Sequence, residues 1–267
     1  MQISGSKVLL TGATGGLGHA IARALSAKGA QLILSGRRVD VLEPLASELH
    51  ARALAVDLSE AAEVDRLLSE AGEIDILVAN AALPGSGKLD SLTMEQVDRA
   101  LEVNLRAPIA MTHALAPEMV KRGSGHLLFM SSLSGKTATA GSSIYNATKF
   151  GLRGFSGAMR AELHGTGVGV SAIFPGFIRE AGMFADAGVK LPKGVGTRSP
   201  EDVAKAVVGA IEHNRGEVDV APIALRFGSA FAGLAPGLSA AVTRRSGSDK
   251  IAYELADSHR AMTRPDS

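Results

Sequence analysis

Short apolar runs alternate with longer amphipathic segments along most of this chain of 267 residues. The runs are mostly continuous rather than alternating, which is typical of strands in a parallel sheet covered on both faces. They predict strands at residues 7–11, 31–35, 52–57, 75–80, 126–131, 168–174 and 217–221. The amphipathic segments predict helices at residues 16–28, 39–50, 61–71, 93–121, 143–163 and 200–213.

Strands and helices that alternate in this way predict an α/β fold: a doubly wound, parallel, seven-stranded sheet of the Rossmann type, in three α/β/α layers. Right-handed crossovers place the loops after the strands along one edge of that sheet. We expect residues 1–225 to form a single domain that contains the functional site. Residues 226–267 are expected to form a C-terminal extension, either a flap or an oligomer arm.

Composition excludes several classes of protein. With 46% hydrophobic and 21% charged residues, the chain can bury a large core, which argues against disorder. The absence of cysteine excludes a disulfide scaffold, cysteine-ligated zinc and iron–sulfur clusters, and the histidines form no HExxH-type pair, so no metal site is expected. A net charge of +1 argues against a nucleic-acid partner. We expect no transmembrane segment and a cytoplasmic location, since the start of the chain lacks a signal-peptide pattern.

A glycine-rich turn lies directly between the first predicted strand and the first predicted helix. Glycine allows positive φ angles and lets the backbone approach a ligand closely. The free N–H groups at the start of a helix attract a pyrophosphate. In this context the turn predicts a dinucleotide site, with the candidate residues Gly12, Thr14, Gly15, Gly16, Leu17 and Gly18.

The end of the second predicted strand bears on which dinucleotide binds. A carboxylate there would hydrogen-bond the adenosine ribose of NAD, but this sequence has Gly36, Arg37 and Arg38. A guanidinium matches a 2′-phosphate, so NADP(H) is favoured over NAD(H). The alternative is that both arginines are only solvated residues at the start of the next helix.

A tyrosine and a lysine share one face of the fifth predicted helix. Tyr145 and Lys149 are four residues apart, and an ammonium near a phenol is expected to lower the phenol pKa. Ser132 follows the fifth predicted strand, where such sheets bind ligands, and Asn104 lies on the preceding helix. Together they predict acid/base chemistry on a substrate oxygen. Taken separately, Ser132 would serve only a turn and Asn104 would only cap or kink its helix.

These motifs together resemble the short-chain dehydrogenase/reductase family, in its compact single-domain branch. The resemblance covers residues 7 to 221, and Ser132 stands at the family's usual distance before Tyr145. The markers follow one another in the family's order: Thr11-Gly12-x-x-x-Gly16-Leu17-Gly18, Asp57-Leu58, Asn80-Ala81-Ala82, Asn104, Ser132, Tyr145-x-x-x-Lys149 and Pro175-Gly176.

The resemblance implies a role for each candidate. Tyr145 would be the general acid/base, Lys149 would hold the nicotinamide ribose and depress the Tyr145 pKa, Ser132 would orient the carbonyl, and Asn104 would anchor a relay water. Asp57 would contact the adenine. The other residues implied to border the cofactor are Leu58, Asn80, Ala81, Pro175, Gly176 and Ile178. A homodimer or homotetramer is also implied.

The sequence therefore predicts an NAD(P)-dependent oxidoreductase, NADPH-preferring, that interconverts a carbonyl and a secondary alcohol. Small apolar flanks at residues 83–87, 133–142 and 177–195 favour an uncharged or apolar small-molecule substrate. Two departures from the family pattern stand out: Asn-Ala-Ala replaces the commoner Asn-Ala-Gly, and no threonine follows Pro175-Gly176 to bind the nicotinamide carboxamide. The alternatives are a noncatalytic nucleotide-sensing module and a cofactor-assisted dehydratase or epimerase.

Overall fold

The computed structural model describes residues 1–183, 185, 196–235, 237 and 238. Its seven strands form one parallel sheet in the order β3-β2-β1-β4-β5-β6-β7. This is the predicted Rossmann-type sheet. The strands are β1 (Lys7–Thr11), β2 (Gln31–Gly36), β3 (Arg52–Ala55), β4 (Ile76–Ala79), β5 (Gly125–Met130), β6 (Val168–Pro175) and β7 (Glu217–Val220).

Helices cover both faces of the sheet. Every residue of β4, β5 and β6 is buried, which explains why their sequences are continuous apolar runs. The helices are α1 (Gly16–Ala27), α2 (Val39–Glu48), α3 (Ala61–Ala71), α4 (Met94–Leu101), α5 (Ala107–Arg122), α6 (Ser143–Glu162), α7 (Pro200–His213) and α8 (Ile223–Leu234).

Two hydrophobic clusters hold the three layers together. On one face, Ile21 of α1, Leu42 of α2 and Val207 of α7 pack against the sheet. On the other, Leu67 of α3 and Met111 of α5 do so, with Leu152 of α6. Burial of apolar surface on both faces thus stabilises the sheet, whose parallel strands all end along one edge.

The predicted helix 93–121 is wrong in one respect, because a π-helical turn, Glu102–Arg106, separates α4 from α5. Ala107 donates its N–H to the Glu102 carbonyl, five residues earlier. Pro108 has no amide hydrogen for the Asn104 carbonyl, so the regular α-helical bonding pattern cannot pass this point. The wider turn contains Asn104.

The C-terminal part is described only as far as residue 238. α8 crosses the expected boundary between residues 225 and 226, and residues 239–267 of the expected extension lie outside the described residues. The division into a domain and an extension stays a prediction. Within the described part of the chain, no helix combines the length and apolarity needed to cross a membrane.

Candidate active site

The candidate residues lie at or beyond the carboxyl ends of the strands, along one edge of the sheet. β1 has β2 on one side and β4 on the other, so the winding of the sheet reverses next to β1. In open α/β sheets this reversal opens a crevice in which ligands bind. The glycine-rich turn follows β1 directly and therefore lies in that crevice.

The glycine-rich turn has the geometry of a phosphate cradle. α1 begins at Gly16, and its N-cap Gly15 supplies no side-chain bond to the free N–H groups of the first turn. Gly12 has a φ of +65°, and a Cβ there would lie 2.7 Å from the Ala81 Cα. A Cβ on Gly18 would lie 2.2 Å from the Gly12 carbonyl oxygen. Only glycine fits these two positions, and the uncapped helix start fits a pyrophosphate.

Asn80 and Ala81 position this turn from the end of β4. Asn80 Nδ2 donates to the carbonyls of Thr11 and Gly12 at 3.0 and 3.1 Å. The backbone N–H groups of Asn80 and Ala81 donate to Thr11 Oγ1 at 3.1 and 3.2 Å. The Asn80 amide thus fixes the backbone of the glycine-rich turn. Thr11, the first residue of the glycine motif, supports the turn although it was not among the predicted cofactor-binding residues.

The two arginines after β2 differ in their contacts. Arg38 donates to the Thr14 carbonyl, which ties the start of α2 to the glycine-rich turn. Thr14 itself packs over Gly36, where a Cβ would lie 2.7 Å from the Thr14 Cγ2. Arg37 is half exposed, and its Nη1 lies 3.8 Å from Asp57 Oδ2. Both arginines are exposed, but only Arg38 is tied to the glycine-rich turn by its bond to Thr14.

Asp57, which follows β3, is surrounded by donors. Ser59 bonds its Oδ1 through the backbone N–H at 3.0 Å and through the hydroxyl at 2.7 Å, and Arg99 Nη2 lies 2.7 Å from Oδ2. Burial favours the neutral acid, but the bonds from Ser59 and the charges of Arg99 and Arg37 prevail, so the pKa of Asp57 lies below its ordinary value. Asp57 is an anion at neutral pH.

Three other residues implied to border the cofactor are held by the core or by β7. Leu58 is buried in the cluster that contains Leu67, so its side chain belongs to the core. Ile178 is also buried and forms an isolated β-bridge with Arg198. Gly176 donates its N–H to the Val220 carbonyl, which fixes the backbone just after β6.

Tyr145, Ser132 and Lys149 meet where β5 ends against α6. The Ser132 hydroxyl lies close enough to the Tyr145 phenol to lower the Tyr145 pKa. The Ser132 hydroxyl also accepts the N–H of Ser134 at 3.1 Å and lies 3.5 Å from the Pro175 carbonyl. Lys149 is 1% exposed, and its Nζ lies 5.5 Å from the centroid of the Tyr145 ring. The structure thus brings the predicted triad together.

The predicted lowering of the Tyr145 pKa is wrong for this arrangement. Burial raises the pKa of Tyr145 to about 12, and the nearby Ser132 hydroxyl offsets this only in part. Burial also lowers the pKa of Lys149 to about 8. The Lys149 ammonium bonds the Met130 carbonyl oxygen at 2.9 Å rather than the phenol. Desolvation of the phenol therefore affects the Tyr145 pKa more than the positive charge of Lys149 does.

Asn104 connects three parts of the site. Its Oδ1 accepts the Leu83 N–H at 2.7 Å, and its Nδ2 donates to the Leu83 carbonyl at 2.9 Å. Nδ2 also lies 3.4 Å from Thr148 Oγ1, which in turn donates to the Tyr145 carbonyl at 2.8 Å. The side chain therefore links the loop after β4 to α6, and the kink interpretation of Asn104 agrees with the π-helical turn that contains it.

Asn146, which was not among the predicted site residues, orders the loop that carries Ser132. Its Nδ2 donates to the carbonyls of Ser134 and Thr137 at 2.7 and 3.0 Å, and its Oδ1 accepts the Thr139 N–H at 3.2 Å. Asn146 is buried. The only sign of this role in the sequence was the place of Asn146 between Tyr145 and Lys149. A polar residue on the buried side of a helix needs hydrogen-bond partners.

The expected substrate flanks surround this triad as far as they are described. Tyr145 donates its backbone N–H to the Gly85 carbonyl at 3.2 Å, and Gly87 donates to the Gly141 carbonyl at 2.8 Å. Loops 83–87 and 133–142 therefore meet beside α6. Of the third flank, residues 184 and 186–195 lie outside the described residues. Among the residues that are described, no group of three or more His, Asp or Glu side chains could hold a metal ion.

Comparisons with known proteins agree with this geometry. The family model for short chain dehydrogenases matches residues 6–190. Ketoacyl reductase HetN of Nostoc sp. is 37% identical over 227 residues, which cover 82% of this chain and 79% of that protein. The structure of a short-chain dehydrogenase from Sphingobium yanoikuyae in complex with NADPH is 28% identical, with a TM-score of 0.76, and covers 88% of this chain and 95% of that one.

A second solved structure is 3-ketoacyl-(acyl-carrier-protein) reductase from Brucella melitensis complexed with NADH. It is 28% identical, has a TM-score of 0.72, and covers 82% of this chain and 97% of that one. Given the match of the family model and the ordered site at the carboxyl edge of the sheet, the chain belongs to the short-chain dehydrogenase/reductase family.

Proposed function

We propose that this protein is an NADP(H)-dependent oxidoreductase that reduces a carbonyl to a secondary alcohol and catalyses the reverse reaction. The observation that carries the proposal is the meeting of Tyr145, Ser132 and Lys149 next to a glycine-rich turn with an uncapped helix start. A noncatalytic nucleotide sensor would need the cradle but not this triad. When bound, the nicotinamide supplies or accepts the hydride.

The residues of the crevice fit such a cofactor. The uncapped N–H groups of Gly16, Leu17 and Gly18 would hold the pyrophosphate, and Arg37 would face the adenosine end. Lys149 would bond the nicotinamide ribose hydroxyls from its position beside Tyr145. Bound NADPH in one similar structure and NADH in another support a nicotinamide cofactor. The two positions directly after β2 are Arg37 and Arg38 rather than acidic residues, which supports NADP(H).

Tyr145 would supply the proton. With a pKa of about 12 it carries its proton at neutral pH, which is the form needed to protonate a carbonyl oxygen. Ser132 would donate to the same oxygen, and the nearby Lys149 ammonium would stabilise the phenolate left behind. Because Pro108 provides no N–H to the Asn104 carbonyl, that oxygen is available to a water that would return the proton.

The substrate proposed for a first test is a 3-oxoacyl thioester. Two of the similar proteins carry ketoacyl reductase in their names, and such a substrate presents a ketone with apolar flanks. The loops around Tyr145 supply Leu83 and Leu133, which suit an apolar acyl group. We also propose a homodimer or homotetramer, which the exposed apolar side chains Phe150 of α6 and Phe227 of α8 support.

The test is a spectrophotometric assay of NADPH and NADH oxidation with 3-oxoacyl thioesters, simple ketones and aldehydes. We expect NADPH oxidation matched by alcohol formation, and we expect Tyr145→Phe to reduce kcat by about 10²–10⁴-fold without weakening NADPH binding. Unchanged turnover in Tyr145→Phe would refute the acid/base role. Conversion of a substrate without net oxidation of NADPH would instead favour a dehydratase or epimerase.

A further inference from the structure

We propose that Arg99 is a positioning residue that sets the selectivity for NADP(H) over NAD(H), although it need not touch the cofactor. The proposal rests on the proposed cofactor function. Arg99 holds the Asp57 carboxylate in place and neutralises it, so that Arg37 can exchange its contact with Asp57 for a 2′-phosphate.

The contacts of Asp57 are the first step. Its Oδ1 accepts two hydrogen bonds from Ser59, and its Oδ2 accepts one from Arg99 at 2.7 Å. The Arg37 Nη1 lies 3.8 Å from the same Oδ2, which is an ion-pair distance but longer than a hydrogen bond. Arg99 is therefore the direct partner of Oδ2, and Arg37 is the outer one.

The difference in distance matters for Arg37. Its side chain is 51% exposed, so an ion pair at 3.8 Å contributes little stability. A phosphate dianion offers a guanidinium stronger, charge-assisted hydrogen bonds. Exchange of Arg37 from Asp57 to a 2′-phosphate is therefore favourable as long as the carboxylate keeps another cation, and Arg99 is that cation.

The charges of this cluster support the same conclusion. Arg37, Arg38 and Arg99 contribute three positive charges and Asp57 contributes one negative charge, which leaves an excess of two. Glu63, the next acid along the chain beyond Glu60, is paired with Arg66 at 2.6 Å. Removing Arg99 would leave the Asp57 carboxylate without its closest cation. It would then repel an incoming phosphate and hold Arg37 more strongly.

Arg99 is partly buried, with 41% of its side chain exposed. Its Nε is buried and has no hydrogen-bond partner among the described residues, and its Nη2 ends on Asp57. Burying part of a guanidinium has a cost that the bond to Asp57 offsets. Arg99 comes from α4, 42 positions after Asp57, so no local sequence motif connects the two residues.

The experiment compares two small probes by isothermal titration calorimetry: 2′,5′-ADP, which carries the 2′-phosphate, and 5′-AMP, which lacks it. The variants are Arg99→Met, Arg99→Lys, Asp57→Asn and the double variant Arg99→Met/Asp57→Asn. Arg23→Met is the matched control, since Arg23 forms a similar pair with Glu48 on the outer surface of α1 and α2. Thermal unfolding of each variant verifies that it is folded.

We expect Arg99→Met to raise the Kd of 2′,5′-ADP by about tenfold or more, and that of 5′-AMP by less than about threefold. Arg99→Lys keeps the charge and should retain most of the selectivity. Adding Asp57→Asn to Arg99→Met should recover most of the lost affinity, because the unpaired carboxylate is gone. Arg23→Met should change neither Kd.

Equal losses for the two probes would overturn the inference and give Arg99 a merely structural role. A selective loss that Asp57→Asn does not recover would also overturn it, because Arg99 would then bind the phosphate directly. A wild-type protein that does not prefer 2′,5′-ADP would refute the proposed cofactor preference itself. A wild-type preference that Arg99→Met leaves intact would refute only the role of Arg99.

Discussion

The side chain of Asn104 bonds both backbone groups of Leu83. Oδ1 accepts the N–H at 2.7 Å and Nδ2 donates to the carbonyl at 2.9 Å. This pairing resembles one step of a sheet ladder, made by a side chain instead of a strand. It joins the π-helical turn to the loop after β4, and the Gly85 carbonyl of that loop accepts the Tyr145 N–H.

Asn104→Ala should destabilise the protein and reduce turnover together. The substitution leaves both polar groups of Leu83 without the Asn104 amide, in a partly buried place, so we expect the free energy of unfolding to fall by about 1–3 kcal/mol. Loss of the link through Thr148 should also lower kcat while the Kd of NADPH changes little. Urea denaturation and steady-state kinetics measure the two effects.

Asn104→Asp tests the donor group separately. The carboxylate retains an acceptor for the Leu83 N–H but has no donor for the Leu83 carbonyl, and at a position that is 1% exposed its charge would be buried. Asn104→Asp should therefore be at least as unstable as Asn104→Ala at neutral pH. If the alanine variant unfolds at the same urea concentration as wild type, the Leu83 pairing does not contribute to stability.

The sheet and the geometry of the glycine-rich turn were predictable because local signals specify them. Continuous apolar runs predict buried parallel strands, and Gly12 and Gly18 occur where only glycine fits between a strand and a helix. The structure confirms the predicted fold, and it places Tyr145 and Lys149 on one side of α6, as their spacing predicts.

The rest depends on contacts between residues that are distant in the sequence. Asn104 meets Leu83, 21 residues away, and Arg99 meets Asp57, 42 residues away, and no periodicity encodes either pair. The prediction that the Tyr145 pKa is lowered failed for a related reason. Proximity of Lys149 was visible in the sequence, but the burial of the phenol and the Met130 carbonyl that binds the ammonium were not.

Lys149 should make stability depend on pH in the alkaline range. Burial lowers its pKa to about 8 from an ordinary 10.5, so between these values the unfolded chain binds a proton that the native protein has released. Stability due to this residue therefore rises with pH. Relative to Lys149→Met, the wild type should gain about 2 kcal/mol between pH 7 and about pH 9.5.

Urea denaturation of both proteins at these two pH values measures that difference. Tyr145 does not interfere, because its pKa of about 12 lies above the range and its ordinary value of 10.0 is not reached. If the unfolding free energy of wild type minus that of Lys149→Met stays constant, or falls as the pH rises, Lys149 is not a buried cation at neutral pH.

His126 should have the corresponding effect in acid. It is fully buried on β5, its Nε2 lies 2.9 Å from Ser171 Oγ, and burial lowers its pKa to about 3. Below the ordinary value of 6.5 the unfolded chain takes up a proton that the native protein does not, so stability falls as the pH falls. We expect a loss of about 2 kcal/mol between pH 7 and about pH 5.

The variant His126→Asn should flatten this acid dependence, whatever its effect on stability at pH 7. His164→Asn is the matched control, because His164 is exposed and its replacement should leave the slope unchanged. Unfolding midpoints measured between pH 7 and pH 5 decide the matter. An equally steep slope in His126→Asn would assign the acid sensitivity to other groups.

Replacing either of two helical glycines by alanine should change the free energy of unfolding, but in opposite directions. A Cβ on Gly18 of α1 would lie 2.2 Å from the Gly12 carbonyl oxygen and 2.8 Å from the Ala13 Cα, and these backbone atoms cannot move without opening the cradle. We expect Gly18→Ala to lower the free energy of unfolding by about 1–3 kcal/mol and to weaken NADPH binding. Gly209 of α7 has no described atom within 4 Å of an added Cβ.

Gly209→Ala should therefore stabilise the protein by about 0.5–1 kcal/mol, because alanine costs less backbone entropy than glycine in a helix interior, and NADPH binding should not change. Urea denaturation and titration with NADPH of the two variants separate the local helix effect from the cradle effect. If Gly18→Ala gave the same results as Gly209→Ala in both measurements, the close approach of α1 to Gly12 would not be needed for stability or for NADPH binding.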